Sequence, residues 1–454
     1  MEFLWSLIAS WCAGVAFAFL DGRRRKVAVS AAVVLAGVLV LDLRVLAILA
    51  DGGTREVVTG GWPAGVGIRL HADLVAALFA SVSTLVLAAV LVHEALEGVR
   101  DRAFPSLLLL LSAGLHGLFF TGDAFNFYVF FEVSMMSAFG LASYAHERAE
   151  LRATFVFVVV NLVGSVVFLA AVAALYLVTG SLDLFAIASE PRGEGSLRLV
   201  AVLLFTAFLL KLGLFPFHHW VAVVYRDTRP AVAAALAGAL ANIGSYGIVR
   251  FGSAALLPEL ESARAALLVL GAASALYGTL LALHRSVPGE IVAYATIAHA
   301  GYLLLALGIG GAEGKAALLL LVLSGSLDKA TLFLALDLPG RGGRFAAFAG
   351  GASLAGVPLT LGFFGKLELL RAALGHERAV ALVPVLLVAG ALSIAVVFRA
   401  WHVLPGGYDR AAERRVGGES VAVALGVALV ALGIAGGPLR DLVLTAVTPL
   451  GEAR

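Results

Sequence analysis

The 454-residue sequence predicts an all-α polytopic membrane protein. Three observations carry that prediction. First, 61% of the side chains are hydrophobic and only 14% charged, against roughly 25% charged in an ordinary soluble domain. Second, apolar runs recur at about the 20-residue length that crosses a bilayer as a helix. Third, the runs are continuous. Barrel strands alternate apolar and polar over about ten residues, so helices are the remaining way to satisfy the backbone in lipid.

Fourteen such runs follow in order, at about 2–20, 27–50, 72–97, 103–120, 124–146, 152–178, 197–217, 230–250, 262–283, 289–311, 315–337, 345–375, 379–403 and 419–445. The first is read as a retained anchor and not a signal peptide, because its basic cluster, Arg23, Arg24, Arg25 and Lys26, follows the apolar stretch. By the positive-inside rule that cluster places the first loop in the cytoplasm and both termini outside. Arg100, Arg102, Arg148, Arg152, Arg226, Arg229, Arg285, Arg341, Arg344, Arg410, Arg414 and Arg415 fall on the same side. The opposite loops and tail carry fewer: Arg55, Arg69, Arg192, Arg198, Lys315, Arg378 and Arg454.

The loops are short. The outer stretch around Gly60, Gly61, Trp62 and Pro63 lies between β-prone pieces and is expected to form a hairpin. A net charge of +2 gives no reason to expect nucleic acid. Cys12 is the only cysteine, so neither a disulfide framework nor a cysteine metal site is available. No phosphate loop, dinucleotide fingerprint or metal-spaced cluster occurs, and no cofactor is expected.

Charges inside the runs are the informative exceptions. Glu132, Lys211, Asp328, Lys329 and Lys366 lie within apolar segments, at a cost of about 2.5 to 3.5 kcal/mol each on insertion scales. Only five of the 32 basic residues are lysines, and three of those five are in the membrane. A lysine ammonium releases its proton when its surroundings change, whereas a guanidinium does not. That is the pattern a proton relay requires. The alternative is a set of structural ion pairs locking helices together, and Asp328, next to Lys329, either neutralises its neighbour or faces another way around the helix.

Pro216 follows Lys211 by five residues, and Gly356 and Pro358 precede Lys366 within about two turns. Two interrupted helices with buried charge, in corresponding halves, point to inverted repeats around a polar path. His299 is expected to link Lys211 to Lys329 through water, or else to be a hydrogen-bonded core histidine. His218 and His219 mark a candidate point where protons enter, and His116 is read as a packed side chain.

The segments Phe120 to Val133, Lys211 to His218, Tyr294 to Tyr302 and Gly362 to Lys366 resemble the proton-translocating antiporter-like family. That family includes antiporter-like membrane components of complex I, components of membrane-bound hydrogenases, and the A and D subunits of Mrp cation/proton antiporters. The resemblance spans about residues 55–405. Gly60 to Ile68, Asp73 and Thr121 to Asn126 look most like the D type of the Mrp antiporters.

The resemblance implies two inverted five-helix repeats, each with a broken helix. The implied division is 1–102 for a three-helix N-terminal region, 103–250 and 251–404 for the repeats, and 405–454 for the last loop and helix. It implies an ion pair between Glu132 and Lys211 whose opening changes the proton affinity of Lys211, with Lys329 as central relay and Lys366 as terminal lysine. It also implies transport of protons and a monovalent cation, Na⁺ by analogy, in a hetero-oligomer of membrane subunits within the cell membrane.

Two positions depart from the family pattern. Asn242 stands where many relatives carry lysine or histidine, and Ser324-Gly325-Ser326 with Asp328 stands where relatives usually have a histidine before the lysine. An asparagine holds a water wire but carries no proton, so Asn242 and Asp328 are water-path candidates. The alternatives are a redox-driven pump component of complex I or hydrogenase type, and a mainly structural membrane component.

Overall fold

Apolar runs that find no water for their backbone groups fold into helices, and the computed structural model of the chain is built almost wholly from them. It describes residues 2–62, 67–189, 197–336, 338, 340–403 and 416–448. Residues 63–66 of the outer loop, and Arg192, Arg410, Arg414, Arg415 and Arg454 of the orientation argument, lie outside the described residues.

The helices are α1 (Glu2–Ala18), α2 (Arg25–Ile48), α3 (Leu74–Glu97), α4 (Phe104–Phe119), α5 (Ala124–Ala142), α6 (Arg148–Thr179), α7 (Leu184–Ser189), α8 (Arg198–Leu212) and α9 (His219–Asp227). They continue with α10 (Pro230–Ala235), α11 (Asn242–Ser253), α12 (Leu257–His284), α13 (Pro288–Ile309), α14 (Gly311–Ala335) and α15 (Arg341–Ala355). The last are α16 (Leu361–Gly375), α17 (Ala379–Val403), α18 (Val416–Ile434) and α19 (Gly436–Val447). Among the described residues, ten helical segments are long and apolar enough to cross a membrane, and α1 and α4 are shorter apolar helices. The chain is a multi-pass membrane protein. The expected hairpin is present: β1 (Arg55–Val58) pairs antiparallel with β2 (Arg69–Ala72), Arg55 opposite Ala72.

Five of the expected runs end or divide differently, the eighth into α10 and α11. The fifth stops at Ala142 rather than 146, where the chain turns with His146 at φ 57°. The seventh stops at Leu212, ahead of Pro216, because Gly213 adopts φ 64°, a left-handed conformation that ends a helix readily only in glycine. The twelfth is two helices, α15 and α16, parted at Gly356 with φ 80°. The fourteenth is also two, α18 and α19.

Burial sorts the helices into an inner set and an outer set. The apolar stretch of α14 is 100% buried, those of α13 and of α10 through α11 are 94%, and that of α3 is 89%. The corresponding stretches of α2 and α17 are only 33% and 22% buried, and their outward side chains are apolar. The inner helices carry Asn242, His299, Asp328 and Lys329. Polar groups with costly desolvation are therefore grouped where other polar groups and not lipid surround them.

Candidate functional site

The site begins where α8 ends. Lys211 sits in the last turn of α8, only 4% exposed, and Gly213 closes that turn by donating to the carbonyls of Leu209 and Leu210 at 3.1 and 3.2 Å. The carbonyl end of a helix favours a cation. Lys211 Nζ donates to Asn161 Oδ1 at 2.6 Å and lies 2.6 Å from Met135 Sδ, with the Phe131 ring centroid 4.3 Å away. Glu132 instead accepts a hydrogen bond from Ser165 Oγ. The ion pair expected between Glu132 and Lys211 is therefore open.

The reason lies on α6. Asn161 and Ser165 stand one turn apart on the same face, and each takes one of the two charged groups. The Asn161 amide also donates to the Phe157 carbonyl at 2.7 Å, which leaves its oxygen for the lysine. Sequence reading missed both residues. The signal was available as two polar side chains at i, i+4 within an otherwise apolar run.

Beside Lys211, a cavity of about 10 Å³ is lined by Asn161, Trp220, Tyr225, Leu240 and Ala241. A second of about 10 Å³, also touching Ala241, is lined by Asn242, Ser245, Thr296, His299 and Lys329. Each has room for about one water. The backbone between α10 and α11 forms a π-helical turn at Leu236–Leu240, an inserted residue that re-aims the side chains following it. Asn242 lies just beyond it. Its amide donates to Ser83 Oγ on α3 at 3.1 Å and its Oδ1 accepts from Ser326 Oγ on α14 at 3.1 Å. Asn242 thus ties two inner helices at the boundary between the two cavities.

His299 lines the cavity of Lys329, which meets the cavity of Lys211 at Ala241. Its Nε2 is 3.0 Å from the Leu321 carbonyl, which only accepts, so Nε2 carries hydrogen. Its buried Nδ1 has no hydrogen-bond partner among the described residues. A Cβ built on Gly325 would collide with His299 Nε2. The space beside Gly325 is therefore used by an imidazole from α13.

On its other side His299 borders a cavity of about 40 Å³ with Thr279, Tyr302, Ala355 and Ser393. Lys366 Nζ donates to the carbonyl of Ala355, the last residue of α15, at 2.9 Å, and stands 4.4 Å from the Tyr302 ring centroid. Here the ammonium itself meets the carbonyl end of a broken helix. Asp328 makes no direct ion pair with Lys329, since successive helical side chains diverge by about 100°. Its two carboxyl oxygens are buried without a hydrogen-bond partner among the described residues.

His218 and His219 lie in the break between α8 and α9. His218 is buried and its Nε2 is 2.7 Å from the Tyr277 hydroxyl, whereas His219 is exposed.

Two motif positions are structural. Asp123 accepts from the Asn126 backbone N–H at 2.7 Å and caps α5, while Asn126 donates to Thr121 Oγ1 at 3.0 Å. Asp73 caps α3 and holds Arg250 through two contacts of 2.7 and 2.8 Å. Burial opposes the charge of Asp73, but the Arg250 guanidinium, aided by His71, holds its carboxyl well below the usual carboxylate range.

An inner bundle with ionisable side chains at two helix breaks defines a polytopic membrane protein with an intramembrane polar line. The chain belongs to the NADH:quinone oxidoreductase/Mrp antiporter transmembrane family, whose shared region matches residues 121–341. It is 31% identical over 402 residues to the N subunit of the NADH-quinone oxidoreductase of Desulforudis audaxviator, covering 78% of each chain. It is 29% identical over 366 residues to the D subunit of the Na(+)/H(+) antiporter of Alkalihalophilus pseudofirmus, covering 75% of this chain and 74% of that one. Its fold superposes on a chain of the Mrp complex from Dietzia sp. with a TM-score of 0.90 at 26% identity, over 99% of this chain and 97% of that one.

Proposed function

We propose that the chain is a D-type membrane component of a multi-subunit monovalent-cation/proton antiporter, with Na⁺ as the exchanged cation. In this reading it is a transporter component of the cell membrane, not itself a catalyst, with both termini outside. It packs against other membrane subunits, and the spans before and after residue 250 act as two inverted repeats. The observation that carries the reading is the succession of polar side chains and small cavities through Lys211, Asn242, Lys329, His299 and Lys366, ending at a broken helix on each side.

Protons pass along that line. Lys211 gives and takes a proton as its ammonium moves between Asn161 and Glu132. Contact with a carboxylate at about 4 Å favours the charged form by about 4 kcal/mol at an effective dielectric near 20. Asn242 and Ser326 orient water between the cavities, and Lys329 and His299 pass the proton toward Lys366.

Lys211→Ala and Glu132→Ala are each expected to abolish cation/proton antiport, followed by dye quenching in vesicles carrying the whole complex. Wild-type activity in both would overturn the relay. The identity with an NADH-quinone oxidoreductase component favours a second reading, the same line driven by electron transfer. Purifying the complex and identifying its subunits separates the two, because iron–sulfur or quinone-binding partners would replace small antiporter subunits.

A further inference from the structure

The N-terminal helices hold a buried acid–base pair away from the line above. Asp42 on α2 is 0% exposed and His116 on α4 is 1% exposed. His116 Nε2 lies 3.0 Å from both carboxyl oxygens of Asp42. Its Nδ1 is 2.7 Å from the Ser112 carbonyl, an acceptor only, so Nδ1 holds a hydrogen and the tautomer is set. The pair's exchangeable proton therefore sits between Nε2 and the carboxylate. Thr84 Oγ1 donates to Asp42 Oδ2 at 2.7 Å and anchors the acid from α3. His116 is more than the packed side chain expected from sequence.

A polar stripe leads to the pair. Ser10 Oγ on α1 lies 3.3 Å from Ser112 Oγ, which is 3.4 Å from His116 Nδ1. One turn earlier, Ser6 is 0% exposed and its hydroxyl has no hydrogen-bond partner among the described residues. Another turn earlier, Glu2 has one buried carboxyl oxygen without a partner, while the other is 3.4 Å from Arg44. Glu2, Ser6 and Ser10 share one helix face by their i, i+4 spacing. Two buried oxygen atoms without partners on one face are costly unless water reaches them.

We propose that Asp42 and His116 form a proton-binding site of their own, filled from the Glu2 end of α1 along Ser6, Ser10 and Ser112. The step is addition of one proton from water between Nε2 and the carboxylate, taking the pair from a charge of −1 to 0. The neutral form is the less costly one in a bilayer. Among the described residues, no other charged side chain is bonded to Asp42 or His116. α1 presents Ser10, α3 presents Thr84, and α4 presents Ser112. Arg44 lies two residues beyond Asp42 on α2 but is exposed and pairs with Glu2, Glu132 on α5 is bonded to Ser165 of α6, Arg25 and Lys26 lie at the opposite end of α2, and His93 and Glu94 lie more than two turns along α3 from Thr84.

The site does not depend on the antiport reading. The test is pH-difference infrared spectroscopy of the assembled complex in lipid, comparing wild type with Asp42→Asn, His116→Gln and Lys211→Ala. A carboxyl band that disappears in Asp42→Asn, shifts in His116→Gln and persists in Lys211→Ala is expected. Coincident wild-type and Asp42→Asn spectra would overturn the site, and loss of the same band in Lys211→Ala would overturn its independence. Should the variants not assemble, ¹⁵N spectra of histidine-labelled wild type decide: an Nε2 whose protonation stays constant across the pH range removes the proposal. Ser10→Ala is expected to slow proton exchange at the pair about tenfold, and an unchanged rate would overturn the route.

Discussion

In the first half of the chain, Lys211 closes its own helix at a left-handed glycine and is held by a neutral amide, with Glu132, the residue after Phe131, tied to Ser165. In the second half, Lys366 reaches back to the carbonyl end of α15 and to an aromatic face, with no carboxylate bonded to it among the described residues. In the second half the carbonyl end of a broken helix holds the ammonium, whereas in the first an amide on the neighbouring helix does. The halves also differ in the counter-charge. A carboxylate brought into contact with an ammonium changes the charged form's energy by several kcal/mol, whereas a helix carbonyl and a ring supply a weaker field. In the proposed relay the first half is thus built to switch and the second to receive.

The sharpest way to break that comparison is at Lys366. Lys366→Ala and Lys366→Arg are both expected to remove proton-coupled transport in vesicles while the complex still assembles, because arginine keeps the charge but does not release the proton. Full activity in Lys366→Arg would leave only a fixed charge in the second half. A smaller effect is expected from Gly325→Ala, whose methyl would run into His299 Nε2. Overpacking there costs about 1–3 kcal/mol, and a displaced imidazole should lower the transport rate about tenfold. The double variant with His299→Ala should be no worse than His299→Ala alone, since both act on the same ring.

The smallest expected effect concerns the outer clamp of Asp73 and Arg250, which serves neither half as a relay. Its carboxyl is held below the ordinary value of 3.8, so its stabilisation is complete above that pH and is lost only as pH falls further. Melting of the complex between pH 8 and 5 should show no pH dependence from this pair, whereas Asp73→Asn should lower the melting temperature throughout that range.

Much of this architecture was legible in the chain. The apolar runs located the helices, and Lys211, Lys329 and Lys366 stood out because lysine is scarce and out of place in lipid. The hairpin followed from turn residues between β-prone pieces. Less legible were the helix breaks, placed near prolines by sequence but made at Gly213 and Gly356 by backbone conformation. Asn161 and Ser165 were hidden in a run that reads as apolar, and no composition signal marks the π-helical turn before Asn242. The Asp42–His116 pair joins residues 74 positions apart, which no local pattern brings together.

Residence in a membrane, the course of the helices and the identity of the anomalous charges all follow from the order of the amino acids, because hydrophobic transfer and insertion cost sum along the chain residue by residue. Packing in three dimensions settled the rest: Glu132 and Lys211 stand apart, His299 shares a cavity with Lys329 and fills the space beside Gly325, and His116 faces an acid. Those outcomes depend on which side chains meet across helices, and a difference of one turn or one inserted residue changes the partner.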